Sequence, residues 1–251
     1  MGYLTSTVPN NGLTSLRFRS ASSFKSAPQH HRGRHNSPNL QGGLIRQQAL
    51  RRRNPVQSRT SAQTVSTNNE TASPLLHGEI NCIQKFFAQK SFPDPLDVGK
   101  PPSQQRPNPR DCVFLATHEP CSLCLSGITW SGFDNFFYLF TYEDSRDLFS
   151  IPYDIDILQE VFRVPAVNTA GERGEVDEDL NARPLYNRRN RFFTARSFED
   201  LAREVGEKYG EEQGARWRDE IARVKARYDG LSDTYQKSKT DATVESASFW
   251  K

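Results

Sequence analysis

Two apolar runs stand out against a mostly polar chain. "CVFLAT" from Cys112 and "NFFYLFTY" from Asn135 are too short and too continuous for amphipathic helices, and read as strands buried on both faces. Between them the segment from Cys121 reads as a helix. Strand, helix and strand in that order predict a crossover unit of an α/β sheet. Upstream, "GEINCIQKFFAQ" carries Ile80, Ile83 and Phe87 at helical spacing, and "TVST" resembles the end of a strand. Six prolines between Ser91 and Arg110 exclude regular structure over most of that stretch. Downstream, "YDIDILQEVF" reads as helical, and "SFEDLAREVGEKYG" opens on a Ser197 N-cap with Asp200 in its first turn. "GARWRDEIARVKARYDGL" sets Trp217, Ile221, Val224 and Tyr228 on one helical face.

Charge divides the 251-residue chain unevenly. Residues 1–64 hold ten Arg or Lys and no acid, while residues 65–251 hold 23 basic against 30 acidic residues, a formal charge of −7. The first segment is rich in Ser, Arg, Asn, Gln and Pro and has few clustered apolar residues, so it is expected to be a disordered basic tail. Three parts are therefore expected: a tail over 1–64, a folded domain over 65–198 and a helical extension over 199–251. No apolar run suits a signal peptide or a membrane helix, which predicts a cytoplasmic protein without membrane contact. The acid-free start also fits a mitochondrial presequence, the alternative destination. Four cysteines in such a chain do not make a secreted disulfide framework, so closely spaced thiols point to metal or redox chemistry.

The thiols that matter are Cys121 and Cys124 in "THEPCSLC". Upstream lies "LLHGEINCI", so the chain offers His77, Glu79, Cys121 and Cys124 as H-x-E followed by P-C-x-x-C. One imidazole and two thiolates form a three-ligand set for Zn²⁺ and leave a fourth tetrahedral position open to water. Cys121 and Cys124 converge if their helix starts near Pro120, and its dipole then favours both thiolates. His77 must sit at or before the start of its own helix for Glu79 to approach the same ion. Leu75 and Leu76 are candidates to anchor that turn. A redox C-x-x-C is the rival reading, but it leaves His77 unexplained. A closed structural site would need a fourth ligand, from Cys82, Cys112 or His118. Trp130 and Phe133 are candidates for either a stacking pocket or core packing, while Asp144 and Asp147 are candidates to read an exocyclic group, with a solvated helix start the favoured reading.

"HGE" together with "PCSLC" resembles the cytidine and deoxycytidylate deaminase superfamily. The block "THEPCSLCLSGITWSGFDNFFYLF" and the following "EDSRDLF" are most similar to the branch of cytosine, guanine and tRNA adenosine deaminases, over about residues 66–165. The resemblance implies a three-layer α/β/α sandwich with a mixed sheet and one Zn²⁺ per chain, held by His77, Cys121 and Cys124. It implies Glu79 as the proton shuttle, a substrate contact from Asn68 or, second, Asn69, and a homodimer. Asn68 and Asn69 are equally readable as turn formers. The family's opening helix and first strand have no candidate here, so the core is expected to lack both.

The expected function is a zinc-dependent hydrolytic deaminase of an amino-substituted nucleobase, nucleoside or related small heterocycle. The acidic ordered part argues against a nucleic-acid partner. A catalytically inactive, zinc-binding partner subunit is the alternative from another class, favoured by the missing elements. A tRNA adenosine deaminase-like editing component is the second.

Overall fold

The computed structural model describes residues 42–49, 59–70, 72–92, 101–166, 174 and 177–230. A five-stranded sheet in the order β2-β1-β3-β4-β5 runs through it. The strands are β1 (Gly42–Ala49), β2 (Arg59–Thr67), β3 (Cys112–His118), β4 (Asn135–Phe140) and β5 (Thr194–Ser197). β1 pairs antiparallel with both β2 and β3, while β3, β4 and β5 run parallel, which makes the sheet mixed.

Two expectations change here. The first strand is not missing: Gly42–Ala49 supplies it, between β2 and β3. The tail expected over 1–64 therefore contains β1 and the first part of β2, which starts at Arg59. "GGLIRQQA" has no apolar alternation to announce it, and it is a strand by pairing on both sides, Leu44 opposite Val65 and Leu115. Among the described residues no helix precedes β1. Residues 1–41 and 50–58 of the segment read as a tail or presequence, and the C-terminal extension from residue 231, lie outside the described residues.

The helices cover both faces, which gives the expected three layers. β3 alternates buried and half-buried positions along its length. Cys112, Phe114 and Ala116 of β3, with Phe136 and Tyr138 of β4, face α1 (Gly78–Ala88) and α2 (Ser122–Trp130) through Cys82, Ile83, Phe86, Leu125 and Ile128. The opposite face carries Leu115, Phe137 and Leu139 and packs on α3 (Tyr142–Phe149), α6 (Phe198–Tyr209) and α7 (Glu211–Lys225) through Phe149, Phe198, Leu201 and Ile221. Each fully buried Phe contributes about 1.5–3 kcal/mol relative to exposure. A short α4 (Tyr153–Ile157) passes into a π-helical turn over Leu158–Phe162, and α5 (Asp177–Ala182) follows.

Because β3 and β4 are parallel, their carboxyl ends share one edge of the sheet, where ligand sites of α/β sheets form. The Glu119 N–H donates to the Phe140 carbonyl at 2.7 Å, tying the two strand ends together. The C-x-x-C segment leaves β3 at that edge.

Candidate metal centre

His77 is the N-cap of α1, with extended backbone at φ −61° and ψ 156°, which is the placement the two-residue spacing to Glu79 requires. The β2–α1 connection is held by amides rather than by the leucines. Asn81 Nδ2 donates to the Thr67 carbonyl at 2.9 Å and to the Leu76 carbonyl at 3.2 Å, and Asn69 N–H donates to the same Leu76 carbonyl. Leu75, by contrast, is 60% exposed and anchors nothing. Glu79, in the first turn of α1, is buried.

Cys121 is the N-cap of α2, and the Cys124 N–H donates to its Sγ at 3.5 Å. One ligand atom from each of His77, Cys121 and Cys124 lies within 4.8 Å of the others. The Cys121 Sγ and His77 Nδ1 are 3.4 Å apart. Tetrahedral zinc, with bonds of about 2.3 Å to sulfur and about 2.0 Å to nitrogen, separates such a pair by about 3.5 Å. The donor set therefore fits the ion in both chemistry and spacing. The Cys124 Sγ donates to Glu79 Oε2 at 3.4 Å, which brings the carboxyl beside the ligands.

Electrostatics agree with that geometry. The hydrogen bond between the two cysteine side chains pulls the Cys121 thiol well down, with His77 adding to the effect. Burial pushes Cys124 well up. For His77 burial works downward, but the hydrogen bond and charge of Cys121 prevail and raise it to about 9. The proton held between these two groups is the one a metal ion displaces on binding. Burial, with the Cys121 charge, pushes Glu79 up to about 7.

The other cysteines stay outside the set. Cys82 is buried in the α1 core and donates to the Thr64 carbonyl, and burial pushes Cys112 up to about 12. His118 is buried between Phe140 and Phe149. None of these three joins the metal group among the described residues, so no closed four-ligand site forms there. Trp130 is 91% exposed and Phe133 is buried core, so neither lines a base pocket. Asp144 completes a capping box with Thr141, and Asp147 pairs with Arg146, as a helix start would have it.

Asn68 and Asn69 follow β2 directly. Asn69 is exposed, and its carbonyl accepts from the Ala72 and Ser73 N–H groups, so its backbone builds the turn. Asn68 Nδ2 donates to Glu70 Oε1 at 3.1 Å, while its Oδ1 is buried without a partner. The charge of Glu70 in turn reaches His77.

Two further acids have no counterpart in the sequence reading. Glu119, between β3 and Cys121, accepts from Tyr186 Oη at 2.8 Å and pairs with Arg188 at 3.0 Å. Tyr142 Oη donates to the Pro120 carbonyl at 2.6 Å. Together they fix the turn that aims Cys121. Asp154 on α4 is pushed up to about 8 by burial and then by the Cys121 charge, with His77 opposing and Glu79 adding. It thus borders the metal centre. No motif spacing flags either acid.

Residues 55–140 match the family model of the Cytidine and deoxycytidylate deaminase zinc-binding region. Over that segment the chain carries the zinc-binding region of that family. His77, Cys121 and Cys124, all within residues 55–140, form the group that could hold the ion. The guanine deaminase of Bacillus subtilis is similar in structure at 20% identity and a TM-score of 0.32, over 61% of this chain and 84% of that one. A structure from work on A-to-I editing by tRNA deaminases at the wobble position aligns at 13% identity and a TM-score of 0.26, over 62% and 81%. A mutant of NE0047 in complex with 8-azaguanine aligns at 14% identity and a TM-score of 0.28, over 70% and 72%. No curated protein matches. No described helix of this chain is long and apolar enough to cross a membrane.

Proposed function

We propose that the protein is a zinc-dependent hydrolytic deaminase that converts an amino-substituted nucleobase, nucleoside or related heterocycle to its oxo form and releases ammonia. The observation that carries this reading is the buried Glu79 carboxyl, 3.4 Å from a thiol ligand and itself outside the ligand set. Zinc at the His77, Cys121 and Cys124 group would polarise water and lower its pKa toward neutrality. Glu79 takes a proton from that water at a carboxylate oxygen and passes it to a ring nitrogen as the water oxygen attacks the amidine carbon. The same carboxylate then takes the remaining hydroxyl proton, leaving the oxo group, and delivers it to the departing amino group. Held up to about 7, Glu79 exchanges protons readily near neutral pH.

Asn68 is the candidate for substrate positioning, because its buried Oδ1 offers an unfilled acceptor and its amide is bonded to Glu70, whose charge reaches His77. Asn69 is the weaker candidate, since its backbone serves the turn. Asp154, pushed up to about 8 by burial and then by the Cys121 charge, is a candidate to meet a polar edge of the heterocycle.

The rival reading of an inactive zinc protein drew on a missing opening helix and first strand; β1 supplies the strand, while among the described residues no helix precedes it. Zinc is expected near one per chain and is lost in Cys121→Ala. Ammonia release from a panel of cytosine, guanine, adenine and their nucleosides is expected to fall by about 10²-fold or more in Glu79→Gln with zinc retained. Asp154→Asn is expected to alter the order of preference within the panel. Retained zinc with no reacting substrate would leave the inactive reading standing.

A further inference from the structure

A cavity of about 760 Å³ is lined, among the described residues, by Arg146, Arg163, Arg183, Arg188 and Arg189 against a single acid, Glu143. Such a volume suits a ligand of nucleotide or sugar-phosphate size. The concentration of arginine runs against its surroundings, since residues 65–251 hold 23 basic and 30 acidic residues. Among them Arg146 is neutralised by Asp147 at 2.7 Å and Arg188 by the buried Glu119 at 3.0 Å.

Arg163 is held differently. Its Nη1 donates to Asn181 Oδ1 at 3.0 Å and its Nη2 to the Arg183 carbonyl at 3.1 Å. These acceptors are neutral dipoles. They fix the plane of the guanidinium and leave its charge uncompensated. Arg183 reaches back to the Val164 carbonyl at 3.5 Å, so the two segments are cross-tied by their arginines. Arg189 enters from a turn in which its N–H donates to Asn187 Oδ1 at 3.0 Å. Oriented guanidinium groups inside a concavity attract anions, and their fork geometry matches phosphate oxygens in pairs.

We propose that this cavity binds the phosphate group of a phosphorylated small molecule, with Arg163 and Arg189 as its principal donors. The site is separate from the zinc-binding group, and the proposal does not depend on the deaminase reading. The cavity nevertheless shares walls with the metal centre. Ile155 lines it one residue from Asp154, and Tyr142 lines it while donating to the Pro120 carbonyl beside Cys121.

The test is calorimetric titration of the full zinc-loaded chain with pyrophosphate and with ribose 5-phosphate at low salt. Saturable one-to-one binding is expected, weakened at least about tenfold in Arg163→Gln/Arg189→Gln, since each charge-assisted bond is worth more than one decade of affinity. Arg163→Lys is expected to retain charge attraction but lose part of the affinity. Arg216→Gln, an exposed site on α7 outside the cavity lining, serves as the control and should bind as the parent does. Zinc content equal to the parent's establishes that each variant is folded. The proposal is overturned if neither phosphate compound binds, or if binding survives intact in the double variant, which would place it on the basic residues of 1–64. It is also overturned if a ten-nucleotide single-stranded RNA uses these arginines while the small phosphates do not, because the surface would then be a nucleic-acid groove.

Discussion

His118 stands three positions before Cys121 and takes no part in the zinc-binding group. Its ring stacks on Phe140 at 5.1 Å, meets Phe149 edge-on at 5.1 Å, and leaves a buried Nε2 without a partner. Burial pushes its pKa down to about 4, with the Asp144 charge working the other way. The unfolded chain, with an ordinary histidine near 6.5, therefore binds more protons than the folded chain between pH 6.5 and 4. This contribution to stability is complete above pH 6.5 and is lost as the pH falls through that window, with a total on the order of 3 kcal/mol. In His118→Phe, urea midpoints measured from pH 7 to 4 should decline less steeply than the parent's. The sequence displayed His77, Glu79, Cys121 and Cys124 because their chemistry is written in spacings of two and three residues. It left His118 open as a fourth ligand, since Phe140 and Phe149 reach it from β4 and α3. Glu119 and Asp154 were invisible for the same reason: their partners, Arg188 and Cys121, lie tens of residues away.

At the scale of elements, α6 and α7 cross at two glycines. A Cβ on Gly214 would lie 2.8 Å from Gly206 Cα and 3.0 Å from the Ala202 carbonyl, both backbone atoms that cannot turn aside. An exposed helix gains about 1 kcal/mol when Gly becomes Ala. Here the overlap outweighs it, and Gly214→Ala is expected to destabilise by about 1–3 kcal/mol, read as a lower denaturant midpoint with zinc retained. The two helices themselves were legible. Ser197 caps α6 and forms a capping box with Asp200, and Trp217, Ile221, Val224 and Tyr228 form the buried stripe of α7 and the turn after it. β1 was not legible, because Gly, Arg and Gln dominate it. What makes it a strand is hydrogen bonding to two neighbours, a property of the sheet and not of the segment.

For the whole molecule, β1 joins the β2 edge to the parallel strands that carry Cys121. Flanked on both sides, it has no backbone N–H to spare, and a proline at any interior position strands a partner carbonyl. Leu44→Pro is expected to cost at least about 1–3 kcal/mol and to lower the yield of zinc-loaded protein, measured as zinc per soluble chain. The same position has a consequence for synthesis. Gly43 pairs with Ala116, about 70 positions later in the chain. β1 and β2 can close into a hairpin soon after leaving the ribosome, but at about 5–20 residues per second β3 follows only after several seconds. During that interval one side of the hairpin is an open strand edge, ready to pair with any neighbouring chain. A cell that makes this protein has to guard a nascent edge until the strand that leads to Cys121 arrives to fill it.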